Sequence, residues 1–148
     1  MSDVGRFMAY AAAFEQAYTS DDWSVVEPFF TEDAVYETLA DPPFAGRYEG
    51  RPAILAYFKN VLDGFDRRFD ERRLDLLGGP EMRDGAVWIR WAVTYRVAGA
   101  PDLRFEGEER AHFDGERIRR LEDRIPKEEG ARAQAFMGEH GGKLHSAA

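Results

Sequence analysis

Cysteine is absent from all 148 residues. That excludes disulfides, thiol nucleophiles and zinc–thiolate sites, and it fits a reducing cytoplasm, the location expected here. Histidine is scarce, with three in the chain. His112 alone falls inside an expected element, His140 and His145 lie near the end, and no acid stands at ligand spacing, so no metal centre is expected. No stretch approaches the roughly 20 apolar residues that span a bilayer. The opening Met1-Ser2-Asp3-Val4-Gly5-Arg6 has neither the basic patch nor the apolar run of a signal peptide, and none is expected. Basic residues are outnumbered 28 to 20, for a formal charge of −8. Nucleic acids and anionic membranes would be repelled, and neither is an expected partner. No phosphate-binding loop is present either: Gly78-Gly79-Pro80 reads as a sheet bulge, not a dinucleotide fingerprint. Ser24 belongs to a helix cap with no histidine near it in the pattern, which leaves a serine triad unsupported. No cofactor is expected.

What the chain does have is 44% apolar and 14% aromatic residues, enough for one domain with a sizeable core. Phe7, Tyr10, Ala11, Phe14, Ala17 and Tyr18 recur at helical spacing and predict an amphipathic helix over 4–19. Ser24 with Glu27 reads as a capping box for a short second helix, with Pro28 in its first turn. Residues 34–39 read as a strand and 46–50 as a short returning one. Pro52 opens a third helix that buries Ile54, Leu55, Phe58, Val61, Leu62 and Phe65. From about residue 69 the pattern turns strand-like. Asp84-Gly85 marks a hairpin turn, and Val87, Ile89, Trp91, Val93, Tyr95 and Val97 form the longest clean alternation. The expected domain spans 1–126. The remaining 127–148 is a charged tail, weakly helical near 131–137 and mobile at its end. Helices first and strands afterwards describe an α+β domain.

Two acids interrupt the apolar rows of the last hairpin. Glu109 falls in the row of Leu103, Phe105, Gly107, Ala111 and Phe113, and Asp123 lies between Leu121 and Ile125. A carboxylate on an inner face is costly unless it is paired, hydrated or working. The placement depends on register, since a slip of one residue swaps faces. An odd, three-residue loop with a bulge around Asp114-Gly115 puts Glu109 and Asp123 together and buries Leu121 and Ile125. A two-residue loop would instead bury a charged row.

This order of elements resembles the nuclear-transport-factor-2-like superfamily, in its SnoaL-like and ketosteroid-isomerase-like branch. The resemblance rests on Tyr18–Asp22 before a short helix, Phe29-Phe30-Thr31-Glu32-Asp33-Ala34-Val35-Tyr36, Gly50-Arg51-Pro52-Ala53-Ile54, and the closing Phe113-Asp114-Gly115 with Ile118 and Asp123. It implies a cone: a curved antiparallel sheet packed on three N-terminal helices around a deep apolar pocket. It also implies, for Asp123, the place of an acid that epoxide hydrolases and polyketide cyclases of the superfamily carry on the last strand. The arginine and second aspartate those hydrolases need are replaced by the inward row Ile89, Trp91, Val93 and Tyr95. Glu109 falls near the protonated acid of the ketosteroid isomerases, whose tyrosine partner maps to Phe14 and whose base maps to Thr38. One fold hosts many functions, so these positions are weighed singly.

Asp123 and Glu109 are the catalytic candidates. A general acid or base needs a pKa moved toward working pH, which partial burial of a carboxylate supplies. The plainer account of Asp123 is a structural acid, and that of Glu109 an ion pair with Arg119. Tyr36, Trp91, Tyr18, Tyr57, Tyr95, Phe14 and Thr38 are candidates to contact a small apolar or aromatic molecule. For most aromatics, Tyr10 and Trp23 included, ordinary core is the simpler account; Tyr36 and Trp91 are the exceptions. The expected function is cofactor-independent proton-transfer chemistry (isomerisation, cyclisation or dehydration) on an apolar carbonyl-bearing substrate. A non-catalytic carrier and a protein-interaction module are the alternatives. The resemblance also implies a homodimer through the outer sheet face, with Trp88 and Ala92 as its apolar centre.

Overall fold

The computed structural model describes residues 2–42 and 44–147. Helix α1 runs Asp3–Ser20. Ser2 caps it by accepting from the Gly5 N–H, and Asp3 sits in the first turn, where the helix dipole favours an acid. Phe7, Tyr10 and Ala17 point into the core. The chain leaves the helix at Asp21, whose backbone adopts φ 61° and whose N–H bonds the Ala17 carbonyl.

The expected second helix is two 3₁₀ turns, Trp23–Val25 and Glu27–Phe29. Asp22 performs the capping expected of Ser24: its Oδ1 accepts from both the Ser24 N–H and the Ser24 hydroxyl. The Glu27–Phe29 turn has no side-chain cap, so the expected capping box does not form. Strand β1, Phe30–Leu39, follows immediately and begins four residues before the expected start. After β2, Gly46–Glu49, helix α2 spans Arg51–Gly64 and buries Ile54, Phe58 and Leu62 at four-residue spacing. Gly50 before it has φ 91°, a conformation that suits glycine. Four long strands complete the sheet: β3 Glu71–Arg83, β4 Ala86–Arg96, β5 Leu103–Asp114 and β6 Arg117–Arg124.

The α+β class holds, but the expected cone of curved antiparallel sheet does not. The sheet is open and mixed, in the order β2-β1-β6-β5-β4-β3. β1 pairs β6 in parallel, and the other pairs are antiparallel. The first strand is separated from the last by the whole intervening chain, so nothing constrains the two to a hairpin. β2 and β3 are left as edges. On β3, Leu74, Leu76 and Met82 share the inner side with Val93, Trp91 and Val87, yet are 47%, 51% and 49% exposed. A closed cone would bury them. Nor do three N-terminal α-helices carry the sheet: α1 precedes β1, α2 follows β2, and the third, α3, Lys127–His140, follows β6.

The tail is folded onto the core. Ala133 and Phe136 of α3 and Leu144 beyond it are buried against Phe69, Tyr95 and Phe105. Arg68 and His145 exchange two hydrogen bonds, Arg68 Nε to the His145 carbonyl and the His145 N–H to the Arg68 carbonyl. These fasten a segment whose composition alone reads as mobile.

The inner face holds two apolar clusters. One gathers Phe7, Tyr10, Phe30, Ile54 and Phe58 with Val87, Ala111 and Leu121; the other gathers Phe69, Val93, Tyr95, Phe105 and Phe136. Trp91 packs against both. The outer face is charged and cross-braced, as in Arg90–Glu106 at 2.9 Å and Arg120–Glu37 at 2.7 Å. Trp88 and Ala92 do not form the exposed apolar centre expected there, being 6% and 0% exposed within the single chain. The Arg83 guanidinium lies 3.4 Å over the Trp88 ring, and Gly78 closes against the indole.

Candidate functional site

The turn of the last hairpin decides where the two acids point. Asp114 pairs with Arg117 and Phe113 with Ile118, leaving a two-residue turn, Gly115-Glu116, with Gly115 at φ 61°. The register then shifts, so that Arg120 pairs with His112 and Arg119 is the extra residue. The bulge, not an odd loop, restores the parity that buries Leu121. The result is the face assignment expected from the apolar row: Glu109 lies directly opposite Asp123. His112 falls on the other face.

Around this pair β1 supplies hydroxyls. Thr38 is the register partner of Asp123 across the parallel β1–β6 pairing. Tyr36, two residues earlier on the same face, donates its phenolic O–H to Asp123 Oδ2 at 2.5 Å. The Thr38 hydroxyl donates to the Tyr36 oxygen at 3.3 Å. From β4, the Trp91 indole N–H is directed at the same carboxylate. Trp91 can lie there because its register partner is Gly107, where any Cβ would collide with the indole. Tyr57 of α2 adjoins Thr38 and stacks on Tyr48 with ring centroids 4.0 Å apart. Burial and the neighbouring Tyr48 push the Tyr57 phenol up to about 12.

Glu109 does not pair with Arg119, which is exposed at the bulge. Its strand neighbours are Ile89 and Asp123, and Trp91 faces Gly107 instead. Burial raises the Glu109 carboxyl well above the ordinary glutamate range, and the charge of Asp123 and a hydrogen bond to it raise it further. Burial raises Asp123 as well, while hydrogen bonds from Glu109, Tyr36 and Trp91 pull it back. The donors on Asp123 favour charge there, and Glu109 has none but Asp123 itself. Two adjacent carboxyls cannot both ionise cheaply, so they titrate as a pair. Both acids and Trp91 are only partly buried, so solvent reaches the band between the clusters.

Other expected contact residues lie elsewhere. Tyr95 donates its O–H to the buried Asp66 at 2.7 Å. Arg72 bonds the same carboxylate at 3.1 Å, reaches both oxygens of Glu15, and lies 4.8 Å over the Tyr18 ring. The ring of Tyr18 and the hydroxyl of Tyr95 thus belong to a bracing network that ties α1 to β3. Phe14 packs edge-on against Tyr10, Trp23 and Phe58 in the first cluster.

Tyr10 is core, as the apolar stripe of α1 predicts, 4% exposed in the first cluster. Burial pushes its phenol far up, with the charges of Glu109 and then Asp123 adding to it.

An open cleft of about 660 Å³ lies at the carboxyl ends of β1 and β6, with Thr38, Leu39, Arg124 and Ile125 in its wall. Thr38 borders both this cleft and the hydroxyl chain to Asp123. Among the described residues no group of three or more His, Asp or Glu side chains is placed to hold a metal ion.

The arrangement has counterparts. The chain superposes on Bal32a from a soil-derived mobile gene cassette with a TM-score of 0.63 at 21% identity, over 82% of this chain and 90% of that one. A candidate isomerase from Bacillus subtilis matches with a TM-score of 0.68 at 16% identity, over 93% and 96%. A candidate polyketide cyclase from Pseudomonas putida matches with 0.61 at 15% identity, over 88% and 96%. At such identities these likenesses establish the fold alone. No protein of curated function matches the sequence. The model of the SnoaL-like domain matches residues 10–121, and the chain belongs to that family, within the nuclear-transport-factor-2-like superfamily.

Proposed function

We propose that the protein is a cofactor-independent enzyme that moves a proton on an apolar, carbonyl-bearing small molecule, by isomerisation, cyclisation or dehydration. The observation that carries this reading is the Glu109–Asp123 pair: two carboxyls side by side on the inner face, with no basic residue paired to either among the described residues. A pair that shares one proton offers a carboxylate to take a proton from an acidic C–H and a carboxylic acid to return one. In an isomerisation the proton leaves one carbon and is delivered to another, so no co-reactant is required. Tyr36 and Trp91 hold Asp123 in place, and Trp91 offers a flat wall to the substrate. The fold neighbours described as isomerases and cyclases support the class of chemistry. The reading extends to a cytoplasmic homodimer through the outer sheet face. With Trp88 and Ala92 already covered, charged ladders would carry that contact, and sedimentation at low and high salt tests it.

The enzyme reading is tested with 2-tetralone in D₂O. Exchange of its α-protons, followed by proton NMR, is expected to run faster with the protein than in buffer, and to fall at least about 100-fold in Asp123→Asn and in Glu109→Gln. Binding of the ketone with no acceleration, or acceleration that survives in both variants, defeats the reading. A carrier would bind the ketone equally well as Asp123→Asn.

A further inference from the structure

The sheet has two open edges, and they are protected unequally. An edge strand offers a row of unpaired N–H and C=O groups to any other strand. β2 is protected by its length, four residues. β3 runs for 13 residues. Its later half is broken: the register to β4 shifts between Leu76 and Gly78 and again between Gly78 and Glu81, and Pro80 has no N–H to offer. Its first half has no such device. Glu71–Leu76 pairs with Arg96–Trp91 without interruption and contains no proline, glycine or lysine. The charge on its inner side, Arg72, is already engaged by Glu15 and Asp66.

The exposed apolar surface collects on the same strand. Among the described residues the large hydrophobic side chains left exposed are Met8, Leu74, Leu76, Leu77 and Met82, all but the first on β3. Leu74 and Leu76 carry the inner row of Val93 and Trp91 out to the edge, where it ends in solvent. The chain bears −8 overall, so two copies repel through most of their surface. Glu71–Leu76 is neutral, because Glu71 and Asp75 balance Arg72 and Arg73. A strand paired antiparallel with its own copy about a two-fold axis sets one residue opposite itself. Centred on any charged residue of this segment, the pairing opposes a charge to itself; centred on Leu76, it runs into the bulge. Centred on Leu74, it sets Leu74 against its copy, Arg73 against Asp75 in both directions, and Leu76 against the apolar stem of Arg72. Arg73 and Asp75 are bonded to each other at 3.2 Å within the chain, an exposed pair that exchanges partners at little cost.

We propose that a second copy of this chain docks on the β3 edge, antiparallel and centred on Leu74, so that two six-stranded sheets join into one. The segment is complementary to itself in charge and in apolar pattern, which makes the same chain its best-fitting partner. Main-chain hydrogen bonds hold the seam, and the inner row of leucines continues across it. The contact uses the edge of a strand and not the outer face of the sheet. It is also independent of the chemistry at Glu109 and Asp123.

Sedimentation of the full chain over a dilution series tests the proposal. Arg73→Asp and Asp75→Arg each set like charges opposite one another at both ends of the seam, and each should weaken association about 10-fold or more. Mixed in equal amounts, the two variants should associate with each other as tightly as the wild type does with itself, since each supplies the charge the other lacks. That recovery also shows that both are folded. Leu74→Lys sets a charge against its copy at the centre and should abolish the contact while leaving the far-ultraviolet circular dichroism unchanged, because Leu74 is already half exposed. Where copies also meet through the outer face, the same changes take a tetramer to a dimer. A wild type that stays monomeric at every concentration overturns the proposal. So does assembly that Leu74→Lys or the two charge variants leave unaltered, and so does a mixture that associates no better than either variant alone.

Discussion

Tyr36 and Asp123 are 87 residues apart in sequence and 2.5 Å apart in space, phenol to carboxylate. The parallel pairing of the first long strand with the last brings them together. Asp123 is thereby an anion held by donors, and the phenol is one of them. Tyr36→Phe should cost about 1.5–3 kcal/mol, the worth of a hydrogen bond to a charged group. It should also raise the Asp123 carboxyl further, because a donor that favours its charged form is lost. Urea unfolding near pH 7 measures the first effect, and carbon-13 NMR of the carboxyl measures the second.

Glu109 makes stability depend on pH in a fixed direction. Its carboxyl is raised in the folded chain relative to the ordinary 4.5. The folded state therefore binds more protons than the unfolded one above that value, and stability falls as pH rises through the folded value. Glu109→Gln keeps a donor toward Asp123 and removes the titration. Its melting temperature should gain on the wild type as pH rises from 4.5 toward alkaline, with no gain below. Equal slopes for the two proteins across that range would contradict the prediction.

Gly107 is the floor beneath Trp91. Gly107→Ala places a methyl where the indole and the Arg124 carbonyl already stand. Overpacking of this kind costs about 1–3 kcal/mol, and the indole must shift off Asp123. Calorimetry should show the loss, and the fluorescence of a chain whose other tryptophans are changed to phenylalanine should report the shift. An unaltered spectrum would mean that Trp91 is not wedged.

Arg72 braces the helix layer. Its guanidinium spans Glu15 and the buried Asp66, and its side chain is 10% exposed. Arg72→Met strands Asp66 beside Tyr95 and should cost about 3–5 kcal/mol. The triple change Arg72→Met, Asp66→Leu, Tyr95→Phe removes the stranded charge and should recover much of that loss. Chemical denaturation of both variants checks the pair of outcomes.

Much of the fold was legible in local pattern. The stripe in α1, the Pro52 start of α2, and the alternation in β4 each depend on side chains a few positions apart, and each formed. The inward facing of Glu109 and Asp123 was legible too, because burying Leu121 admits only one parity. What failed to read locally depended on distant partners. Ser24 was assigned a cap that Asp22 takes, a competition within a single turn that propensity does not rank. Trp88 looked exposed because strand parity cannot see Arg83 and Gly78 closing over it. The tail looked mobile because Phe136 and Leu144 are isolated in charged surroundings, and only the ring of Phe69, Tyr95 and Phe105 gives them a place.

The sequence by itself determined the class of fold, the absence of cysteine chemistry, and the presence of two acids on an apolar row, since period and composition act along the chain. Only the tertiary structure decided that the sheet stays open, that β1 lies parallel to β6, and that Glu109 meets Asp123 and not Arg119. Those outcomes rest on register between strands and on burial from several elements at once. Both are set by the summed packing of the whole chain and not by any segment of it.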